Sequence, residues 1–326
     1  MTSGRLVTPV DEPAYGAAAG GSNEPTYPRT RVIAAFVAVY IVWGSTYLAI
    51  RYAVQTIPPF FMVGARFVVS GAILYLWSRL RGSPRPTRRE WRDAAIAGGL
   101  MLGFGNGSVA WAELRVPSGL AALLVAVVPL WMVLLDWAGP RGRRPRGRVM
   151  LGVVVGLAGL FVLVNPGASV GGREGGIDLV ASIVLILSSL GWAAGSVYNR
   201  YGARPRSAAM STGMQMLAGS IALLVIGAAI GEPARLHPTE ISAASWIGWT
   251  YLVTFGSLIG FTAYIYLLQA VSPAKASTYA YVNPLVAVFL GWAIAGEPVT
   301  ARTLIAAAII LAGVAMITMG ARRGDA

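Results

Sequence analysis

Apolar residues run through this chain in long blocks, and polar residues gather between them. The blocks fall at 31–51, 57–80, 94–114, 117–138, 148–165, 178–199, 208–230, 243–269, 274–295 and 303–321. A helix needs about 20 apolar residues to cross the hydrocarbon of a bilayer. The pattern therefore predicts an all-α membrane protein with ten transmembrane helices. Arginine and proline clusters such as Arg79-Leu80-Arg81-Gly82-Ser83-Pro84-Arg85-Pro86 punctuate the blocks. Residues 1–30 are rich in Gly, Ala, Pro, Ser and Thr and lack periodicity. They read as a disordered cytoplasmic tail with no removable signal peptide.

Composition agrees with the pattern. The chain is 56% apolar and 12% charged, against about 25% charged in soluble domains, and its mean hydropathy is +0.64. There are no cysteines and one histidine, His237. Disulfides, thiolate metal sites, cysteine nucleophiles and multi-histidine metal sites are thereby excluded, and no metal or other cofactor is implied. The formal charge of +13 allows either a nucleic-acid partner or basic loops on one side of a membrane. With the N-terminus cytoplasmic, twenty of the 26 basic residues fall on the cytoplasmic side and five on the other, Arg66 lying within a span. That bias repeats loop by loop, supports cytoplasmic N- and C-termini, and explains the charge without nucleic acid.

The two halves resemble each other. At an offset of 149 residues Trp43 falls on Trp192 and Arg66 on Gln215. At 155, Val127-Val128-Pro129-Leu130 matches Val282-Asn283-Pro284-Leu285, and Trp137 falls on Trp292. The repeat predicts a first unit at 31–166 and a second at 178–321. Five helices per copy is odd, so the second copy enters the membrane from the opposite face. Inverted repeats place substrate near the midplane between halves and work by alternating access. A carrier of small molecules follows, in contact with membrane lipid.

Several residues are candidates for the substrate cavity. Arg66 stands mid-span, where an arginine faces protein or water rather than lipid. It reads as a contact for an anionic group, a partner for Glu113, or a structural arginine bonded to carbonyls. Glu113 reads as a protonatable or cation-binding carboxylate at the mouth of the cavity, or as an interfacial acid paired with an arginine. Its repeat mate is Leu268, so the scaffold does not need the charge. Asn106 lies among Gly103, Gly105 and Gly107, inside a span rather than after a strand, so a phosphate loop is rejected. Trp43 and Trp192, as repeat mates, are candidate cavity walls, with Tyr47, Trp111, Tyr264 and Tyr279 as further aromatic candidates and Gln215 as the mate of Arg66. Pro129 and Pro284 read as scaffold kinks. Glu297 reads as a helix-end acid paired with Arg302, and Lys275 as a snorkelling cation. Gly152, Gly156 and Gly159 form a small-residue stripe suited to tight packing or a homodimer contact.

The run Trp43-Gly44-Ser45-Thr46-Tyr47-Leu48-Ala49-Ile50-Arg51, with Pro58-Pro59 and Gly64-Ala65-Arg66-Phe67, resembles the first EamA domain of the drug/metabolite transporter superfamily. Gly105-Asn106-Gly107, Trp111-Ala112-Glu113 and Val116-Pro117-Ser118-Gly119 are similar to its YedA-like exporters, and 272–297 resembles the end of a second EamA domain. The resemblance spans about residues 31–320. It implies a ten-helix inverted-repeat exporter of small metabolites or drugs in the bacterial cytoplasmic membrane. It also implies a central cavity built from helices 1, 3 and 4 and their mates 6, 8 and 9. Amino-acid-like, amphipathic or cationic cargo all remain open. Arg141-Gly142-Arg143-Arg144 stands where the family often has a glutamate after the fourth helix. A lipid-modifying membrane enzyme would need clustered acids or histidines, and a receptor or scaffold would need a domain outside the bilayer. Neither feature stands out.

Overall fold

The computed structural model describes residues 27–138, 147–164, 178–271, 276 and 278–322. Among these every regular element is helical. In chain order the helices are α1 (Arg29–Ala53), α2 (Pro59–Leu80), α3 (88–112), α4 (Ser118–Val125 and Val128–Ala138), α5 (Gly147–Val164), α6 (Leu179–Tyr201), α7 (Ala208–Ala229), α8 (Ala243–Ala270), α9 (Tyr279–Ala295) and α10 (Ala301–Arg322). Six are long and apolar enough to cross a membrane: α1, α2, the Ser118–Leu135 part of α4, α6, α7 and α8. The apolar stretches of α5, α9 and α10 are shorter. Lys275 and the 141–144 arginines lie outside the described residues.

The helix ends follow local chemistry. Pro58 and Pro117 precede the first turns of α2 and α4. Asp178, Ser207 and Ser242 cap α6, α7 and α8, each side chain accepting a backbone N–H three residues on. The start of α3 differs from the apolar block at 94. Thr87 and Glu90 form a capping box, which nucleates a polar turn ahead of the apolar part. Pro129 does more than kink: α4 is interrupted at residues 126–127, where the missing proline N–H cannot continue the ladder. Pro284 is accommodated inside a continuous α9.

Packing pairs the halves. Helix α2 lies along α7, α5 along α10 and α4 along α9. Helix α3 packs on α6 and α7, while α8 packs on α1 and α2; α4 meets α6, and α9 meets α1. Adding five to each helix number of one set, counting on from α10 to α1, gives the other. The glycine stripe of α5 is occupied within the chain: Gly152 and Gly156 sit against Gly313 of α10, and Gly159 against Ile310. Tight packing within the chain is thus what this stripe serves.

Close backbone approach also joins α3 to α7. A methyl group at Gly98 would overlap the Gln215 carbonyl, whereas one at Gly99 would meet nothing within 4 Å. Gly98→Ala is expected to lower stability by about 1–3 kcal/mol, with Gly99→Ala nearly neutral. Thermal unfolding in detergent distinguishes them, and equal melting points would refute this packing.

Candidate functional site

Among the described residues three helices carry π-helical stretches: Val39–Trp43 in α1, Gly99–Asn106 in α3 and Leu252–Phe261 in α8. Such wide turns often mark functional sites. Each stretch ends on a residue that lines one central cavity, namely Trp43, Asn106 and Phe261. The cavity measures about 70 Å³. That admits water but is smaller than the roughly 300 Å³ of a site for a drug-sized molecule.

Trp43 is the hub of its aromatic wall. Its ring centroid lies 5.4 Å from Trp192, 5.2 Å from Phe261, 4.9 Å from Tyr264 and 5.3 Å from Tyr279. Its indole N–H donates to the Gly256 carbonyl at 3.3 Å. Tyr264 stands behind this wall, fully buried, its hydroxyl 3.2 Å from Ser196 Oγ. Arg66 supplies the cavity's charge. It is 2% exposed, and its Nε donates to Ser257 Oγ at 2.7 Å.

Of the ten residues expected to face substrate, six line the cavity: Trp43, Tyr47, Arg66, Asn106, Trp192 and Tyr279. Four stand elsewhere. Tyr264 is behind the wall. Trp111 lies half-buried beneath the Arg115 guanidinium, 4.3 Å away. Gln215 is buried beside Asn199 and Ser211, donating to Asn199 Oδ1 at 3.0 Å and Ser211 Oγ at 3.1 Å. Glu113 is buried at the end of α3, off the cavity lining. The Glu113–Arg66 pairing does not form, because Glu113 sits at a helix end and Arg66 is inside α2 bonded to Ser257. Neither Glu113 oxygen meets a donor in hydrogen-bond geometry. Its neighbours are Glu297, the Arg51 guanidinium and backbone N–H, and Tyr47.

Glu297 departs from the sequence expectation too. Its partner is Arg51, at 3.1 Å, not Arg302. Arg302 donates to the Val162 and Leu163 carbonyls at the end of α5, where cations satisfy orphan carbonyls. The Glu297 carboxylate accepts from the Ser118 N–H and hydroxyl at 2.8 and 2.7 Å and from the Gly119 N–H at 3.0 Å. It thus caps α4. Glu232 does the same for α2, accepting from the Phe60 and Phe61 N–H groups at 3.1 and 2.7 Å. Both glutamates sit in a Gly-Glu-Pro triplet whose glycine has positive φ, 77° at Gly231 and 63° at Gly296. Glycine meets that conformation without strain. The triplets are visible in the sequence, but the recurrence alone does not say what the carboxylates touch. Asn283, which also lines the cavity, was likewise overshadowed by Pro284.

At the opposite helix ends Asp93 ties α3 to the segment after α6. It accepts from the Ala203 N–H at 2.7 Å, from Arg92 Nε at 2.8 Å and from the Tyr198 hydroxyl at 3.0 Å. The Ala203 N–H first, then Arg92 and Tyr198, hold its carboxyl below the usual carboxylate range.

Sequence comparisons fit this architecture. The EamA-like transporter family model matches twice, at residues 30–165 and 179–319. The chain belongs to the EamA-like transporter family. It is 39% identical over 287 residues to the inner membrane transporter YedA of Escherichia coli (strain K12), covering 88% of this chain and 90% of that one. It is 26% identical over 302 residues to a probable terminal-alkyne amino-acid exporter of Streptantibioticus cattleyicolor, covering 90% and 96%. A solved crystal structure, 22% identical, superposes with a TM-score of 0.63 over 92% of this chain and 100% of that one, a likeness of fold. The EamA family member described here is thus a multi-pass membrane protein of a transporter family.

Proposed function

We propose that this chain is a secondary exporter of small metabolites or drugs in the bacterial cytoplasmic membrane, a carrier rather than an enzyme. In this reading ten helices cross the membrane in two inverted units, 31–166 and 178–321, with both termini cytoplasmic. The units rock about the central cavity to give alternating access. The observation that carries it is the cavity itself: α1, α2, α3 and α4 line it from the first unit, and α6, α8 and α9 from the second. The helix contacts that repeat on adding five to each number support the two-unit arrangement. The exporter named in Streptantibioticus supports outward movement of amino-acid-like cargo.

Purified protein in sealed vesicles, offered a broad panel of metabolites and drugs with and without a pH gradient, is expected to move at least one class above protein-free vesicles. Failure across the whole panel would remove the reading.

A further inference from the structure

Among the described residues, no anion matches the buried cation of Arg66. Its Nη1 meets no acceptor, and none of the ion pairs among the described residues involves it. Its remaining support is Ser257 Oγ and the face of Phe67, 4.9 Å from the ring centroid. A buried guanidinium without a counter-ion is costly to keep. The surroundings nevertheless make room for it. Residue 256 of α8 is glycine, and a Cβ there would stand 3.0 Å from Arg66 Nη2.

The cavity wall narrows what could complete the pair. Among the described residues Arg66 is the single charged one in the lining, and no described carboxylate faces the cavity. A cationic head group would find no counter-charge there and would meet a like charge. An anionic head would find the guanidinium, with the Asn106 and Asn283 amides in the same lining. Trp43 and Trp192 offer an apolar surface to the remainder of the molecule. The planar guanidinium fork suits a carboxylate, which it can hold through two parallel N–H bonds.

We propose that Arg66 anchors the carboxylate of the transported molecule, an acid with an apolar or aromatic body, and that cations are disfavoured. The assignment deepens the transporter reading and rests on it. The cavity as it stands holds little more than the head group, so the body enters as the helices around Trp43 and Trp192 part.

The test uses one aromatic body with three heads: phenylacetate, phenylacetamide and phenethylamine. Each is titrated into the purified full-length protein in detergent at neutral pH, with tryptophan fluorescence as readout. A charge-assisted hydrogen-bonded pair supports a preference of about tenfold or more. Phenylacetate is expected to bind at least that much more tightly than the amide, with the amine weakest. Arg66→Gln should shrink the acid–amide gap to below about threefold, and Arg66→Lys should retain part of it. Equal binding of the three heads by the unaltered protein would overturn the proposal without relying on a variant that folds. An Arg66-dependent response to sodium chloride alone, with no further response to phenylacetate, would assign the site to an inorganic anion and also overturn it. Vesicle flux separates the two readings. Flux of other solutes without acid preference sinks the anchor alone. Arg66-dependent acid binding without flux of any solute sinks the transporter reading and leaves the anchor.

Discussion

Glu297→Ala is expected to cost about 3 kcal/mol of stability, chiefly from the α4 N–H groups it would leave unpaired, because Arg51 is 34% exposed and keeps water when the ion pair is lost. The carboxylate is 5% exposed and serves four donors from two other helices: Arg51 of α1, and the Ser118 N–H, Ser118 hydroxyl and Gly119 N–H of α4. The first N–H groups of a helix have no partner within it and carry partial positive charge. Alanine would leave them buried and unpaired, each at about 1–3 kcal/mol. These losses overlap, because one relaxation can relieve several of them. Glu297→Gln keeps an acceptor oxygen but loses the ion pair, so its loss should be smaller. Glu240, exposed beyond the end of α7, provides the control, since surface changes stay within about 0.5 kcal/mol. Thermal unfolding in one detergent decides. Matching melting points for Glu297→Ala and Glu240→Ala would show that this carboxylate does not hold α4.

Glu113→Gln is expected to abolish the pH dependence of transport while leaving the fold intact. Glu113 is 4% exposed. Among the described residues it is the one buried carboxylate with neither oxygen hydrogen-bonded. Glu297 repels it and Arg51 attracts it, while Arg51 is engaged by Glu297. Gain or loss of one proton at Glu113 therefore changes the competition for the Arg51 guanidinium, which joins α1 to the start of α4 through Glu297. Glutamine has nearly the same shape and does not titrate. Its stability should stay within about 1 kcal/mol of the parent's, because the one donor beside the carboxylate is the Arg51 backbone N–H, which a glutamine oxygen can also face. Uptake into vesicles across a series of pH values, parent beside variant, gives the answer. A variant that keeps the parental pH profile would exclude Glu113 from the coupling.

The helices were legible because burial in hydrocarbon leaves so plain a mark on composition. Their ends were less so. At α3 a capping box carried the helix into polar sequence, which hydropathy does not register. The π-helical stretches were invisible, since one extra residue per turn alters hydrogen bonding without altering composition. Arg66, Trp43 and Trp192 were readable as candidates because charge at depth and recurrence at a fixed offset are local signals. The partners of Glu113 and Glu297 were not. Arg51 and Glu297 are neighbours only through the packing of α9 on α1, and nothing in either segment announces the other. The glycines of α5 showed that something packs closely there, but not that α10 already does.

The two Gly-Glu-Pro triplets break the symmetry of the scaffold. At the 149-residue offset Gly82-Ser83-Pro84 corresponds to Gly231-Glu232-Pro233. Gly82 has the same left-handed turn, φ 82°, yet serine replaces the carboxylate. Glu232 thus latches one end through a turn whose mate at the other end carries Ser83, and that other end is tied differently, by Asp93. For a carrier that alternates between two shapes, unequal latches mean unequal resting populations. A binding form that is rarely populated has its apparent affinity weakened in proportion to that rarity. Cargo approaching from the Glu232 side should therefore half-saturate the carrier at a different concentration from cargo approaching from the other. A latch supplies no energy, however. Without a gradient the concentrations on the two sides must still become equal, and only the speed of approach will depend on the side from which the cargo starts.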